Sequence, residues 1–159
     1  MNLLIALLIT TITNTTLSVK STEFANTHSI PFKFTCDGLN INPAFVIENI
    51  PEKTKSLAFI MDDTESPNGE FVHWIMWNIP INGKISENSA PGIQGKNSMK
   101  QNKYFGPCPP NGLHTYNFKV YALDIKLSIS DTTGKLGLQN AMEGHILSAG
   151  QLTGKYKRQ

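Results

Sequence analysis

Hydrophobic and polar side chains alternate along much of this chain, most cleanly between residues 116 and 123. There Tyr116, Phe118, Val120 and Ala122 fall on one face, and Asn117, Lys119, Tyr121 and Leu123 on the other. A period of two marks a β-strand, and Tyr121 and Leu123 make its second face partly apolar. Residues 71–79, FVHWIMWNI, read as another strand, with Val72, Trp74, Met76 and Asn78 set against His73, Ile75, Trp77 and Ile79. SLAFIM, residues 56–61, is apolar throughout and predicts a strand covered on both faces. Shorter strands are predicted over residues 32–35, 44–50 and 151–156. Helical spacing arises once: Leu138, Ala141, Met142, His145 and Ala149 follow i, i+3, i+4, i+7, i+11, with Gly150 placed to stop the helix. Turn-rich loops separate these elements, and residues 86–103 form a long polar surface segment. Many short strands and one late helix predict a mainly β fold, an antiparallel β-sandwich or barrel with a C-terminal helix and long surface loops. No strand–helix–strand rhythm supports a parallel, nucleotide-binding sheet.

The chain has 159 residues, the size of one domain, with 40% hydrophobic and 16% charged positions and a net charge of +2. Lys and Arg are scattered, apart from a basic tail at residues 155–158, which argues against a nucleic-acid partner. An apolar run from Leu3 to Ile9 suits the core of an export signal and is too short to span a bilayer. Residues 1–20 are therefore expected to be a signal peptide and 21–159 a single domain, secreted or periplasmic. A buried N-terminal strand in a cytoplasmic protein is the other reading. Cys36 and Cys108 can pair in an exported protein, or stay as two buried thiols; no CxxC spacing suggests zinc.

Candidate chemistry gathers at loop–strand junctions. Asp63 follows the SLAFIM strand in the carboxylate-rich DDTESPNG loop, His73 sits early in FVHW, and His114 and Tyr116 open the central strand. Before that strand runs GPCPP, residues 106–110, where three prolines fix φ and remove three backbone donors. If the junctions converge, one carboxylate, two imidazoles and a phenol line a small preorganised pocket. Their N–H and O–H groups, joined by backbone N–H groups of Gly106 or Gly112, would suit a phosphate or carboxylate ligand. Asp63 would accept a hydrogen bond from His73 or His114 and favour the charged ring, strengthening anion binding below about pH 6.5. Trp74 and Trp77 read as core, and His28 and His145 as structural.

Four blocks, TCDGLNINPAF, LAFIMDDTESPNGEFVHWIMWNIP, FGPCPPNGLHTYNFKVYALD and AMEGHILSAGQLTGKY, occur in the order and approximate spacing of the phosphatidylethanolamine-binding protein family. The resemblance covers residues 22–157 and is nearest to the bacterial and archaeal branch. It implies a large antiparallel β-sandwich with a small anion pocket at one end. The family's acidic-loop motif, Asp-Pro-Asp-Ala-Pro, falls on Asp63-Thr64-Glu65-Ser66-Pro67. Asp63 and Pro67 match it, with Pro67 as a cis proline, while Thr64, Glu65 and Ser66 depart. The VHW-type strand makes His73 a pocket residue; the G-x-x-P-P loop falls on Gly106, Pro107 and the prolines that follow, and H-x-Y on His114 and Tyr116. The resemblance also implies a Cys36–Cys108 disulfide.

The expected function is non-catalytic binding of phospholipid head groups or similar phosphorylated ligands, with no cofactor and no metal. The alternative is an inhibitor or modulator of a protease or kinase acting through its surface. A metal-dependent hydrolase or dioxygenase ranks last, since H-x-Y stands where a strand-borne metal site expects H-x-H.

Overall fold

The apolar run SLAFIM lies at the centre of the molecule. The structure, a computed structural model, describes residues 16–159 and places this run in β3 (Ser56–Asp63), whose every residue is buried. Around it lie β1 (Ser18–Ser21), β2 (Phe45–Glu48), β4 (Phe71–Ile79), β5 (Lys84–Ile85), β6 (Ile93–Gln94), β7 (Leu113–Leu123), α1 (Lys135–Met142) and β8 (Ile146–Lys157). The strands form a five-stranded sheet in the order β6-β4-β3-β7-β8 and a three-stranded sheet in the order β1-β2-β5. Every strand pairing is antiparallel. The fold is thus an antiparallel β-sandwich with one α-helix among the described residues.

Both faces of the large sheet are covered, which is why β3 carries no polar alternation until its end. Inside, Phe45 of the small sheet meets Phe59 and Phe118 of the large one, each at 5.2 Å between ring centroids. Outside, Ala58, Ile60, Ile75, Trp77 and Leu123 pack beneath Leu138 and Met142 of α1 and Leu127 of the preceding loop. Asp62 also faces outward and is fully buried, accepting hydrogen bonds from Lys119 Nζ and Lys135 Nζ, both at 2.7 Å. Burial alone would raise this carboxyl, but the two lysines outweigh it and hold it below the ordinary carboxylate range. Lys135 is the first residue of α1, so this ion cluster fastens the helix to the sheet.

Several sequence expectations need correction. Residues 32–35 are not a strand: Pro31 starts a 3-10 turn, Phe32–Phe34, closed by Phe34 N–H to Pro31 O at 3.0 Å and Thr35 N–H to Phe32 O at 3.1 Å. The helix is shorter and earlier than predicted, ending before Gly144, whose φ of +78° suits glycine. His145 lies in the turn beyond it, and Ala149 and Gly150 lie within the twelve-residue β8, far longer than the strand predicted at 151–156. Gly150 is required by close approach: a Cβ there would sit 2.2 Å from Leu17 O. Most of the expected leader falls outside the described residues. Leu17 and Val19 are buried and Ser18–Ser21 pairs with β2, so residues 18–20, assigned to that leader, pair in the sheet.

Strict alternation in β4 also fails. Trp74 and Met76 join the inner core but so does Ile79, while Val72 and Trp77 join the outer cluster. Two register shifts explain this. Met61 pairs with Trp74 but Asp62 with Val72, leaving His73 without a partner; a second shift falls between the Leu57–Ile79 and Phe59–Met76 pairs, at Asn78. Each inserts one extra residue and resets which face the chain presents.

Cys36 and Cys108 form a disulfide with Cα atoms 5.4 Å apart, closing a sequence separation of 72. Replacing both with alanine should lower stability by about 4 kcal/mol in the chain-entropy account, measurable by urea unfolding. Asp62→Asn leaves two cations facing a neutral amide and should cost about 2–3 kcal/mol, less than a wholly buried pair because both lysines still reach solvent. The Asp62 contribution is present above the unfolded carboxyl value near 3.8 and disappears as pH falls through its lower folded value.

Candidate functional site

Three strand ends meet at one end of the large sheet. In antiparallel order the C-terminal end of β3 lies beside the N-terminal ends of β4 and β7, and Asp63 pairs with both Phe71 and Tyr116. Period two then points Asp63, Tyr116 and, one pleat further, His114 to the inner face. His73 reaches the same side because it is the bulged residue of β4. Its ring lies edge-on to Tyr116 at 5.2 Å between centroids, is tilted against Phe71 at 4.7 Å and stacks on Phe105 at 5.8 Å.

Each titratable group has a defined partner. His73 Nδ1–H donates to Phe105 O at 2.7 Å; a carbonyl can only accept, so the proton of the neutral ring is on Nδ1. Burial pulls this imidazole down to about 4, only partly offset by the Phe105 carbonyl and the Asp63 charge. Asp63 Oδ2 accepts from His114 Nδ1–H at 2.7 Å, both side chains being buried, and Asp63 Oδ1 accepts from the Glu65 amide at 2.8 Å. Of the two pairings open to Asp63 in the sequence, it takes His114. Glu65, itself exposed, accepts from the Thr115 amide, which ties the acidic loop to β7. The Tyr116 hydroxyl is buried with no hydrogen-bond partner among the described residues. Burial, aided by the Asp63 charge, pushes that phenol above its ordinary range.

The proline loop is fastened to the turn after residue 34 at four points. Tyr104 OH donates to Phe34 O at 2.8 Å, Gly106 N–H to Asn40 Oδ1 at 2.7 Å and Cys36 N–H to Pro107 O at 3.1 Å, and the disulfide closes the set. Glycine is needed at 106 because a Cβ would lie 2.3 Å from Phe34 O. The Gly106 amide is therefore occupied and does not serve as an anion donor.

Between these parts lies a cavity of about 130 Å³ lined by Asp63, Ser66, Phe71, His73, Met99, Phe105, Cys108, Pro109 and Pro110. Of the residues singled out in the sequence, Asp63 and His73 are on its wall. His114 and Tyr116 lie directly behind it, and Gly106 and Pro107 are buried in the loop that carries Phe105 and Cys108. Pro67 is exposed and off the wall. It is also trans: among the described residues no peptide bond is cis, and the Gly69 amide bonds to Ser66 O at 3.0 Å, making Pro67 the second residue of an ordinary β-turn. Phe71, Met99 and Phe105 were missed. Phe71 and Phe105 adjoin recognised motifs, whereas Met99 sits in a featureless polar stretch held by Asn97, whose side chain accepts from the amides of Met99 and Gln101 at 2.9 and 3.0 Å. Trp74 and Trp77 are core, as read. Among the described residues no three His, Cys, Asp or Glu side chains group as metal ligands, and no helix is long and apolar enough to cross a membrane.

The family model for phosphatidylethanolamine-binding protein matches residues 20–157. The chain belongs to the phosphatidylethanolamine-binding protein family. A UPF0098 protein of Pyrococcus horikoshii is 43% identical over 149 residues, covering 87% of this chain and 75% of the relative. A UPF0098 protein of Chlamydia muridarum is 36% identical, covering 89% and 99%. The crystal structure of a phosphatidylethanolamine-binding protein homolog from Chlamydia trachomatis superposes with a TM-score of 0.87 at 33% identity, over 91% of this chain and 99% of that one. Escherichia coli YbcL shares the fold, with a TM-score of 0.83 at 23% identity over 91% of this chain and all of that one. The bacterial and archaeal branch of the family indicated by the sequence is thus where its relatives lie.

Within this family fold, His73 should titrate near pH 4 by NMR, with its neutral form protonated at Nδ1. Asp63→Asn should lower that value further, because a stabilising negative charge is lost. The folded value lies below the ordinary 6.5, so stability from burying the neutral ring is full above 6.5 and falls as pH drops towards 4. The loss should reach about 3 kcal/mol, read from denaturant melts across that window.

Proposed function

We propose that the cavity beside Asp63 and His73 binds phosphate-type groups, including phospholipid head groups, and that the protein acts by binding rather than by catalysis. The observation that carries this reading is a cavity of about 130 Å³ whose wall holds one imidazole, His73, with His114 bonded to the wall residue Asp63 and Tyr116 packed against His73. That volume equals about four waters. It suits one oxyanion and leaves acyl chains outside. Against catalysis by nucleophile, both cysteines are consumed in the disulfide, and Asp63 is already committed to His114 and the Glu65 amide. The disulfide and the apolar run at residues 3–9 support a secreted or periplasmic location.

Charge decides how an anion would enter. Among the described residues the wall carries one carboxylate and no Lys or Arg, so compensating charge must come from histidine. His73 Nδ1–H is committed to Phe105, and its neutral Nε2 offers a lone pair, which repels an oxyanion. Binding must therefore add a proton to Nε2, raising a ring that burial holds near 4. Ligand uptake is then coupled to proton uptake, and affinity falls with rising pH above that value until the bound ring itself titrates.

Calorimetric titration with sulfate, which stays a dianion across the range, separates this from ligand protonation. Affinity should weaken by up to about tenfold per pH unit above pH 4 and be lost in His73→Ala. Phosphoethanolamine should compete with sulfate. A flat pH profile, or undiminished sulfate binding in His73→Ala, would overturn the reading.

A further inference from the structure

A second cavity, of about 270 Å³, is lined by chain neighbours of His73 and Phe105. Successive residues divide between the two: His73 and Phe105 line the first, their neighbours Trp74 and Tyr104 the second. Asn40 and Gln94 also line the second cavity, and their amides are oriented by the protein itself. The Gly106 amide donates to Asn40 Oδ1 at 2.7 Å, and Trp74 Nε1–H donates to Gln94 Oε1 at 2.8 Å. Neither donor could face an NH2 group, so the oxygen of each amide is spoken for and its NH2 is left over. Among the described residues neither Asn40 Nδ2 nor Gln94 Nε2 has a hydrogen-bond partner, and Lys103 Nζ, on the same rim, has no acidic partner. Among the described residues no acidic one lines this cavity.

We propose that this cleft is a second ligand site, for a small organic monocarboxylate. The two amide NH2 groups and the ammonium can only donate, and Ser89 and Asn88 on the same lining add a hydroxyl and an amide that can also donate, so an acceptor-only group is satisfied there. One lysine balances one negative charge, which favours a carboxylate over a phosphate dianion. Ile41 and the rings of Trp74 and Tyr104 supply apolar wall for a short hydrocarbon body. The site does not depend on the titration of His73, so it stands or falls separately from sulfate binding in the first cavity.

NMR titration of the whole protein with butyrate, with uncharged butyramide and with inorganic phosphate tests the assignment. Butyrate should shift the side-chain NH2 signals of Asn40 and Gln94 saturably, with butyramide and phosphate each weaker by about tenfold or more. Asn40→Asp and Gln94→Glu keep the oxygen that accepts from Gly106 and Trp74 while turning the free donor into a carboxylate oxygen. Each should weaken butyrate binding by at least about tenfold. Lys103→Gln, at an exposed position that leaves the fold intact, should weaken it several-fold, and His73→Ala should leave it unchanged. The proposal is overturned by an absence of saturable shifts, by butyramide or phosphate binding as well as butyrate, by butyrate affinity that survives Gln94→Glu and Lys103→Gln, or by its loss in His73→Ala.

Discussion

The register of β3 against β7 sets Asp62 opposite Asn117 and Asp63 opposite Tyr116, and so sends two consecutive carboxylates to opposite faces of one sheet. Each then meets a different solution to the cost of burying charge. Asp62 is held by two lysines, one from β7 and one from the first residue of α1; Asp63 is held by His114 and by the Glu65 amide. A slip of one residue would exchange the two faces, placing one carboxylate among Phe59, Tyr116 and Phe118 and the other beneath a helix with no use for an imidazole. The charges therefore oppose the same slip that the apolar pattern opposes.

From that register the cavity follows in steps. The bulge at His73 turns its ring to the face Asp63 occupies, and Phe71 and Phe105 clamp it there. The loop bearing Phe105 cannot wander, because Tyr104, Gly106, Pro107 and Cys108 are each joined to the chain between Phe34 and Asn40. Prolines at 107, 109 and 110 remove the freedom that remains. The cavity is thus preformed, and a ligand entering it would not need to order its walls.

The same fastening gives the loop two working sides. Asn40 holds Gly106 with its oxygen and presents its nitrogen elsewhere; Gln94 does the same with Trp74. Asn40 and Gln94, which line only the second cavity, thus fasten Gly106 and Trp74, the chain neighbours of Phe105 and His73 on the wall of the first. The two cavities need not share a ligand, since one is lined by a buried imidazole and the other by amide and ammonium donors.

Much of this could be read from residues alone. The period of two in β7, the unbroken apolar β3 and the block order pointed to the sandwich and the family, because each rests on spacing within a short stretch or on motifs in sequence; the cysteine pairing stayed open in the residues and was only implied by the family resemblance. Asp63, His73, His114 and Tyr116 were legible for the same reason: all sit at strand ends. Where local spacing misled, a distant contact had intervened. Ala149 and Gly150 continue a helical pattern, yet that segment pairs along β7 and lets Leu17 O approach. Residues 32–35 alternate like a strand but close a 3-10 turn beneath Tyr104. The bulges in β4 and the orientation of two amides depend on partners elsewhere in the chain, and which loop residues reach the cavity depends on how the loops come together. Local chemistry prescribes which face a side chain prefers, but only the assembled sheets determine which neighbour it finds there.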